Sequence, residues 1–201
     1  MVCLGCLRPS NNRLCPGCGG GLRATPERVL PGGIRLITAH DHTGLAAELI
    51  HDLKYRGAIG YAELVAETLA PRVPRAPVTA VLRSWSRYAR YGVDPAVEIA
   101  TRIAAHNDVP YVTLFARPWH TARRAGRNRD RAAPAAQLRS LPGAGVVVVD
   151  DVVTTGATLG AAIRAIGQTR VVVAVAANDA TSPSTLARDA SSKRVGKPYI
   201  S

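Results

Sequence analysis

The stretch that most restricts the possible folds is Val146-Val147-Val148-Val149-Asp150-Asp151-Val152-Val153-Thr154-Thr155-Gly156-Ala157-Thr158. Four β-branched residues in a row show no polar alternation and predict a strand buried on both faces, the habit of parallel sheets. Two adjacent carboxylates are costly inside such a sheet, so Asp150 and Asp151 are expected to emerge at its C-terminal edge. In open α/β folds that edge is where ligands bind. Thr154 to Thr158 then reads as a turn into a helix. Hydroxyls, a glycine free to take unusual dihedrals, and amides at a helix N-terminus together make an anion cradle. Paired acids beside such a cradle suit a ligand with vicinal hydroxyls and a phosphate, as in a 5-phosphoribosyl group. The plainer alternative is a strand–turn–helix capped by threonine.

The rest of the chain agrees with an alternating α/β fold. Ile34 to Ala39 predicts a short strand, and Leu45, Leu49 and Leu53 mark one face of a helix from Thr43 to Tyr55, stopped by Gly57. A second helix is expected from Ile59 to Leu69, before Pro71 and Pro74. Val78 to Leu82 and Tyr111 to Phe115 read as strands, with a helix between them that begins at Asp94-Pro95 and ends near His106-Asn107. A helix from Thr158 to Ile166 and a strand from Val171 to Ala177 complete the series. Strands alternating with helices of this length imply a doubly wound, mostly parallel sheet.

All four cysteines fall in the first eighteen residues, as Cys3-x2-Cys6 and Cys15-x2-Cys18. Two such pairs across a short loop can close a tetrahedron of thiolates around zinc. Four protein ligands leave no open position, so the site reads as structural. Gly5, Pro16-Gly17 and Gly19-Gly20-Gly21 supply the turns. Disulfides are the alternative, and a cytoplasmic compartment argues against them.

The 201 residues carry a formal net charge of +12, which raises phosphorylated ligands, nucleic acid or an acidic surface as partners. Of the 26 basic residues only Lys54, Lys193 and Lys197 are lysines. So strong a bias to arginine looks like codon usage, and the global charge is given little weight. No stretch approaches the roughly 20 apolar residues of a membrane span. No basic segment followed by an apolar one suggests a signal peptide. A cytoplasmic protein is expected; oligomeric state is not readable.

Residues 146–158 resemble the phosphoribosyl-pyrophosphate (PRPP) motif of type I phosphoribosyltransferases. With the N-terminal cysteines, the chain resembles the ComF family, competence-associated relatives of those enzymes. His51-Asp52-Leu53-Lys54-Tyr55-Arg56-Gly57 is similar to that family's Lys-Tyr-Arg-Gly helix end, and Arg90-Tyr91-Gly92-Val93-Asp94 to its Arg-Gly-Phe-Asn segment. The resemblance implies a type I phosphoribosyltransferase fold preceded by a small four-cysteine zinc-binding module. Residues 1–33 would be the knuckle and linker, 34–185 the transferase-like domain, and 186–201 a basic tail. Asp150 and Asp151 would hold the ribose 2- and 3-hydroxyls. Thr154, Thr155, Gly156, Ala157 and Thr158 would hold the 5-phosphate, and Mg²⁺ would accompany PRPP. Phosphoribosyl transfer to an acceptor, as in nucleoside metabolism, is the implied activity.

Two segments are less decided. After the Val78–Leu82 strand, the family's Val-Pro-Val-Pro pattern is replaced by residues including Ala80 and Leu82. Arg83, Ser84, Arg87 and Arg90 could bind pyrophosphate there, or some of these arginines could merely solvate a loop. Residues 117–131 hold six arginines against one acid, Asp130. This run fits a lid over the ligand, a nucleic-acid-binding loop, or a solvated surface. Five histidines (His40, His42, His51, His106, His120) show no metal spacing and are expected mostly at the surface or in caps. The competing function is a non-catalytic DNA-uptake or DNA-binding protein built on the same scaffold, with DNA or a competence component as partner.

Overall fold

The β-branched runs of this chain meet in one sheet. The computed structural model describes residues 1–30, 33–119, 145–154, 156–166 and 171–178. Its strands are β1 (Arg28–Leu30), β2 (Ile34–Asp41), β3 (Val78–Ala80), β4 (Val146–Val153) and β5 (Val171–Asn178). They lie in the order β1-β2-β5-β4-β3, with β1 antiparallel to β2 and every other neighbouring pair parallel. The expected mixed α/β class with a mostly parallel sheet is what the chain adopts.

Both faces are covered, which is why β4 tolerates unbroken valine. Val147 and Val149 belong to the buried cluster that also holds Leu53 of α2 (Gly44–Arg56), Val65 of α3 (Gly60–Leu69) and Ile99 of α5 (Pro95–His106). Val146 and Val148 face the other way, toward Leu159 and Ile163 of α6 (Ala157–Ile166). Each valine so buried contributes about 1.5–3 kcal/mol. Three short elements remain: helices α1 (Pro16–Gly19) and α4 (Trp85–Tyr91), and a 3-10 turn over Ala70–Arg72 after α3.

The N-terminal segment is seated on this core. Leu4, Leu14 and Leu22 pack against the same cluster as α2 and α3. Arg13 adds an ion pair to Glu67 at 3.0 Å. A Cβ on Gly60 would stand 2.8 Å from Leu4 Cδ2, so α3 approaches the segment closely there.

Several expectations from the sequence are revised by the structure. Tyr111 to Phe115 does not form a full strand: it makes one parallel bridge, Val78 with Tyr111, and then leaves the ladder while Leu114 and Phe115 stay buried. Asp94 occupies the N-cap position of α5 as expected, yet its side chain makes no capping bond because it is drawn into a buried ion pair. His40 is only 7% exposed, its Nδ1 3.2 Å from the Tyr61 hydroxyl. Burial holds it down to about 4, so it stays neutral.

A further difference concerns the acids, which lie inside β4 instead of beyond it. Backbone pairing to β5 runs on through Asp150 opposite Val175 and Val153 opposite Asn178. On the other side β3 ends at Ala80, opposite Val149. Among the described residues, Asp150 and Asp151 thus have a strand neighbour on one side only. The core alternation also resets here, since Val152 packs with the cluster of Val147 and Val149, and Val153 with that of Val146 and Val148. Two consecutive side chains are left out of both cores.

Candidate functional site

Asp150 and Asp151 are both half-buried at this open edge. The Asp151 amide donates to Asp150 Oδ1 at 2.8 Å. Burial pushes the Asp150 carboxyl well above the usual carboxylate range, and the neighbouring charge of Asp151 adds to the rise. Lys54, near the end of α2, places Nζ 3.1 Å from Asp151 Oδ1. One ammonium therefore faces two acids, and the side chains of Lys54 and Asp151 are 19% and 17% exposed.

The turn after β4 supplies the other half of the expected site. Thr154 is exposed, Thr158 half-buried, and Gly156 buried with φ of 70°. That left-handed angle is strained for any residue with a Cβ and lets the chain reverse into α6. The Gly160 amide donates to the Gly156 carbonyl at 2.7 Å, closing the first helical turn. Ala157 opens α6. Thr155 lies outside the described residues.

Arg83 and Ser84 follow β3 at the same edge. The Arg83 amide donates to Asp94 Oδ2 at 3.0 Å. Its guanidinium donates to the carbonyls of Lys54 (2.8 Å) and Val93 (3.3 Å), and packs against the rings of Tyr55 and Tyr91. Ser84 is 2% exposed, its hydroxyl 3.1 Å from that of Ser86. Arg117, the first arginine of the basic run, pairs with Asp94 at 2.8 Å and donates to the Arg83 carbonyl at 3.0 Å. Residues 120–144, the remainder of that run and His120 included, lie outside the described residues.

Sequence reasoning placed Lys54 in the helix-end motif but not among the site residues. A signal existed: in a chain whose basic residues are almost all arginine, it is the one lysine outside the C-terminal stretch. The Asp94–Arg117 pair left no such trace.

The cysteines meet as their spacing predicts. The sulfurs of Cys3, Cys6, Cys15 and Cys18 lie within 4.8 Å of one another, and the four could hold a zinc ion. The Cys15 amide donates to Cys3 Sγ at 3.2 Å, and backbone donors, Cys15 first, hold the Cys3 thiol at about 6. The neighbouring sulfurs of Cys15 and Cys3 push Cys18 up to about 12. Four thiolates this close need a cation between them, so the donor set fits the metal. A Cβ on Gly5 would stand 2.9 Å from Cys18 Sγ, which explains glycine inside the first pair.

Comparison with known families decides the fold family. The family described as phosphoribosyl transferase domain matches residues 62–197. The chain belongs to that family. Its phosphoribosyltransferase domain thus includes the acid pair, the turn after it, and the segment carrying Arg83 and Ser84. No curated protein matches the chain. Among solved structures, the orotate phosphoribosyltransferase from Aeropyrum pernix is similar at 19% identity, covering 84% of this chain and 83% of that one, with a TM-score of 0.41. Among the described residues no helix is long and apolar enough to cross a membrane.

Proposed function

We propose that the chain is a ComF-type phosphoribosyltransferase that moves a 5-phosphoribosyl group from PRPP, bound with Mg²⁺, to an acceptor in the cytoplasm. In this reading residues 1–33 are a zinc-stabilised module and 34–185 the transferase domain; residues 186–201, expected from sequence to be a tail, lie outside the described residues. The observation that carries it is the half-buried pair Asp150–Asp151, facing Lys54 and running through Gly156 into α6. Adjacent carboxylates accept hydrogen bonds from vicinal hydroxyls, so they suit ribose O2 and O3. The amides and hydroxyls of Thr154, Thr155, Gly156, Ala157 and Thr158 suit the 5-phosphate at a helix start. Bond formation at C1 would expel pyrophosphate, whose charge Mg²⁺ and nearby cations offset. The chain's own part is to fix the ribose by two ends, leaving C1 as the free reacting atom.

Phosphorus NMR of PRPP and Mg²⁺ mixed with zinc-loaded protein tests this directly. Broadening or displacement of the 5-phosphate resonance, reversed by excess ribose 5-phosphate, is expected. Unchanged resonances at millimolar protein would sink the proposal.

One observation favours a second reading. Trp85, Tyr88 and Trp119 are 44%, 38% and 73% exposed, and Arg117 lies 4.3 Å over the Tyr88 ring and 5.2 Å over that of Trp85. Exposed rings interleaved with arginine stack bases of single-stranded nucleic acid. In that case the protein handles DNA during uptake, alone or with a competence component. Oligonucleotide affinity that falls steeply with salt and drops in Trp119→Ala and in the triple Arg123, Arg124, Arg127→Ala variant would favour it; salt-independent or absent binding would dismiss it.

A further inference from the structure

Arg83 stands at the position expected to meet pyrophosphate, yet its guanidinium is turned inward. It donates to the Lys54 carbonyl at 2.8 Å and to the Val93 carbonyl at 3.3 Å. Tyr55 and Tyr91, 4.9 Å apart and edge-to-face, flank it with centroids 5.7 and 5.6 Å from Cζ. The last carbonyls of a helix have no partner within it, and a cation is favoured there. Gly57 ends α2 in the left-handed conformation, returning its amide to the Asp52 carbonyl. The Lys54 carbonyl is then taken by Arg83, from another element. Its neighbour along the same residue is Lys54 Nζ, 3.1 Å from Asp151.

From this geometry we infer that Arg83 is a positioning residue for Lys54, and that Lys54 is the cationic member of the phosphoribosyl site. The inference rests on the proposed function for its ligand. Arg83 clamps the end of α2 to the loop after β3, so the lysine stem reaches across to the acid pair. An ammonium has three donors, and Asp151 takes one. Two remain for oxygens of an anionic ligand held by the acids. Lysine suits this better than arginine, because a compact charge on a flexible stem can serve a carboxylate and a phosphate oxygen together. Arg83 is in turn fixed by backbone at both ends, its amide on Asp94 and its carbonyl under Arg117.

The test is a set of calorimetric titrations of zinc-loaded full-length protein with PRPP and Mg²⁺, for wild type, Lys54→Met, Arg83→Met and the double variant. Lys54→Met is expected to bind about tenfold to a hundredfold more weakly, the effect of losing one charge-assisted hydrogen bond. Arg83→Met is expected to lose a similar factor, and the double variant to be no worse than Lys54→Met, because the two act as one unit. Additive losses would mean Arg83 meets the ligand by itself and would overturn the positioning role. Unchanged binding by Lys54→Met would overturn the site role while leaving the proposed function standing.

A second measurement needs no PRPP. With only three lysines in the chain, amine labelling read by mass spectrometry resolves Lys54 individually. Lys54 should label slowly in wild type and at least severalfold faster in Arg83→Met and Asp151→Asn, with Lys193 and Lys197 unaffected. Equal labelling of Lys54 in wild type and Arg83→Met would contradict the clamp. Absence of PRPP binding by wild type would instead remove the proposed function, and with it the ligand role of Lys54.

Discussion

Asp94 and Arg117 form a buried ion pair at 2.8 Å, with side chains 3% and 13% exposed, that ties the start of α5 to the segment entering the arginine-rich run. The same Asp94 oxygen also accepts the Arg83 amide at 3.0 Å, while its other oxygen is buried and has no hydrogen-bond partner among the described residues. Burial raises the Asp94 carboxyl above its usual range, opposed by Arg83 and Arg117. A connected set of contacts therefore runs from Asp151 through Lys54, Arg83 and Asp94 to Arg117.

Replacing Arg117 by Met removes the counter-charge from Asp94. The expected cost is about 3 kcal/mol at pH 8, the scale for an orphaned buried charge. At pH 6 the loss should be smaller, because a carboxyl already raised by burial rises further without its partner and takes up a proton. Urea denaturation at the two pH values checks this; equal losses at both would contradict it.

Asp150 has the clearest pH consequence. Its folded carboxyl is raised, so the folded state binds a proton that the unfolded state releases at the ordinary carboxylate value of 3.8. Its contribution to stability is therefore fullest at low pH and declines as pH rises from that value toward the folded one. Wild type should lose about 1–3 kcal/mol between pH 6 and 8.5, each unit of difference being about 1.4 kcal/mol. Asp150→Asn, which mimics the protonated acid, should flatten that slope. Thermal melts across the range would show it, and parallel slopes would refute the assignment.

Zinc should be found at one ion per chain by metal analysis. Chelation should lower the melting temperature, since Leu4, Leu14 and Leu22 lose their anchorage to the core. Gly5→Ala, which sets a Cβ 2.9 Å from Cys18 Sγ, should weaken zinc retention although all four cysteines are kept. Isolation of two disulfides and no metal would contradict this account of the module.

Gly156→Ala should cost about 1–2 kcal/mol, the penalty of a Cβ at its φ of 70°. Because the strain sits in the turn between the acids and α6, PRPP binding should weaken along with stability. Full binding in a destabilised variant would detach this turn from the ligand.

What the sequence revealed depended on how local each signal was. The valine run of β4, the leucine spacing of α2 and the Asp94-Pro95 start of α5 are local patterns, and all three elements formed where expected. The cysteine cluster was legible for the same reason: metal geometry is written in short spacings. Strand β1 escaped because three residues carry no periodicity, and only its antiparallel pairing with β2 defines it. Helix α4 escaped because Trp85 to Tyr91 buries no residue and so shows no apolar stripe. Arg83 could be placed at the site but not oriented, since its partners, the Lys54 carbonyl and two tyrosine rings, come together only through the fold. The end of β3 opposite Val149, just before the acid pair, is likewise a property of the assembled sheet.

A working phosphoribosyl site is proposed at Asp150–Asp151 and the turn beyond. Calorimetric titration of zinc-loaded wild type with PRPP and Mg²⁺, beside an Asp150→Asn, Asp151→Asn double variant, tests it most directly. The account predicts saturable binding, with Kd on the order of micromolar (about −8 kcal/mol), by wild type and its loss in a double variant that melts at or above the wild-type temperature. A well-folded wild type that takes up no PRPP, or a double variant that binds equally well, would contradict it.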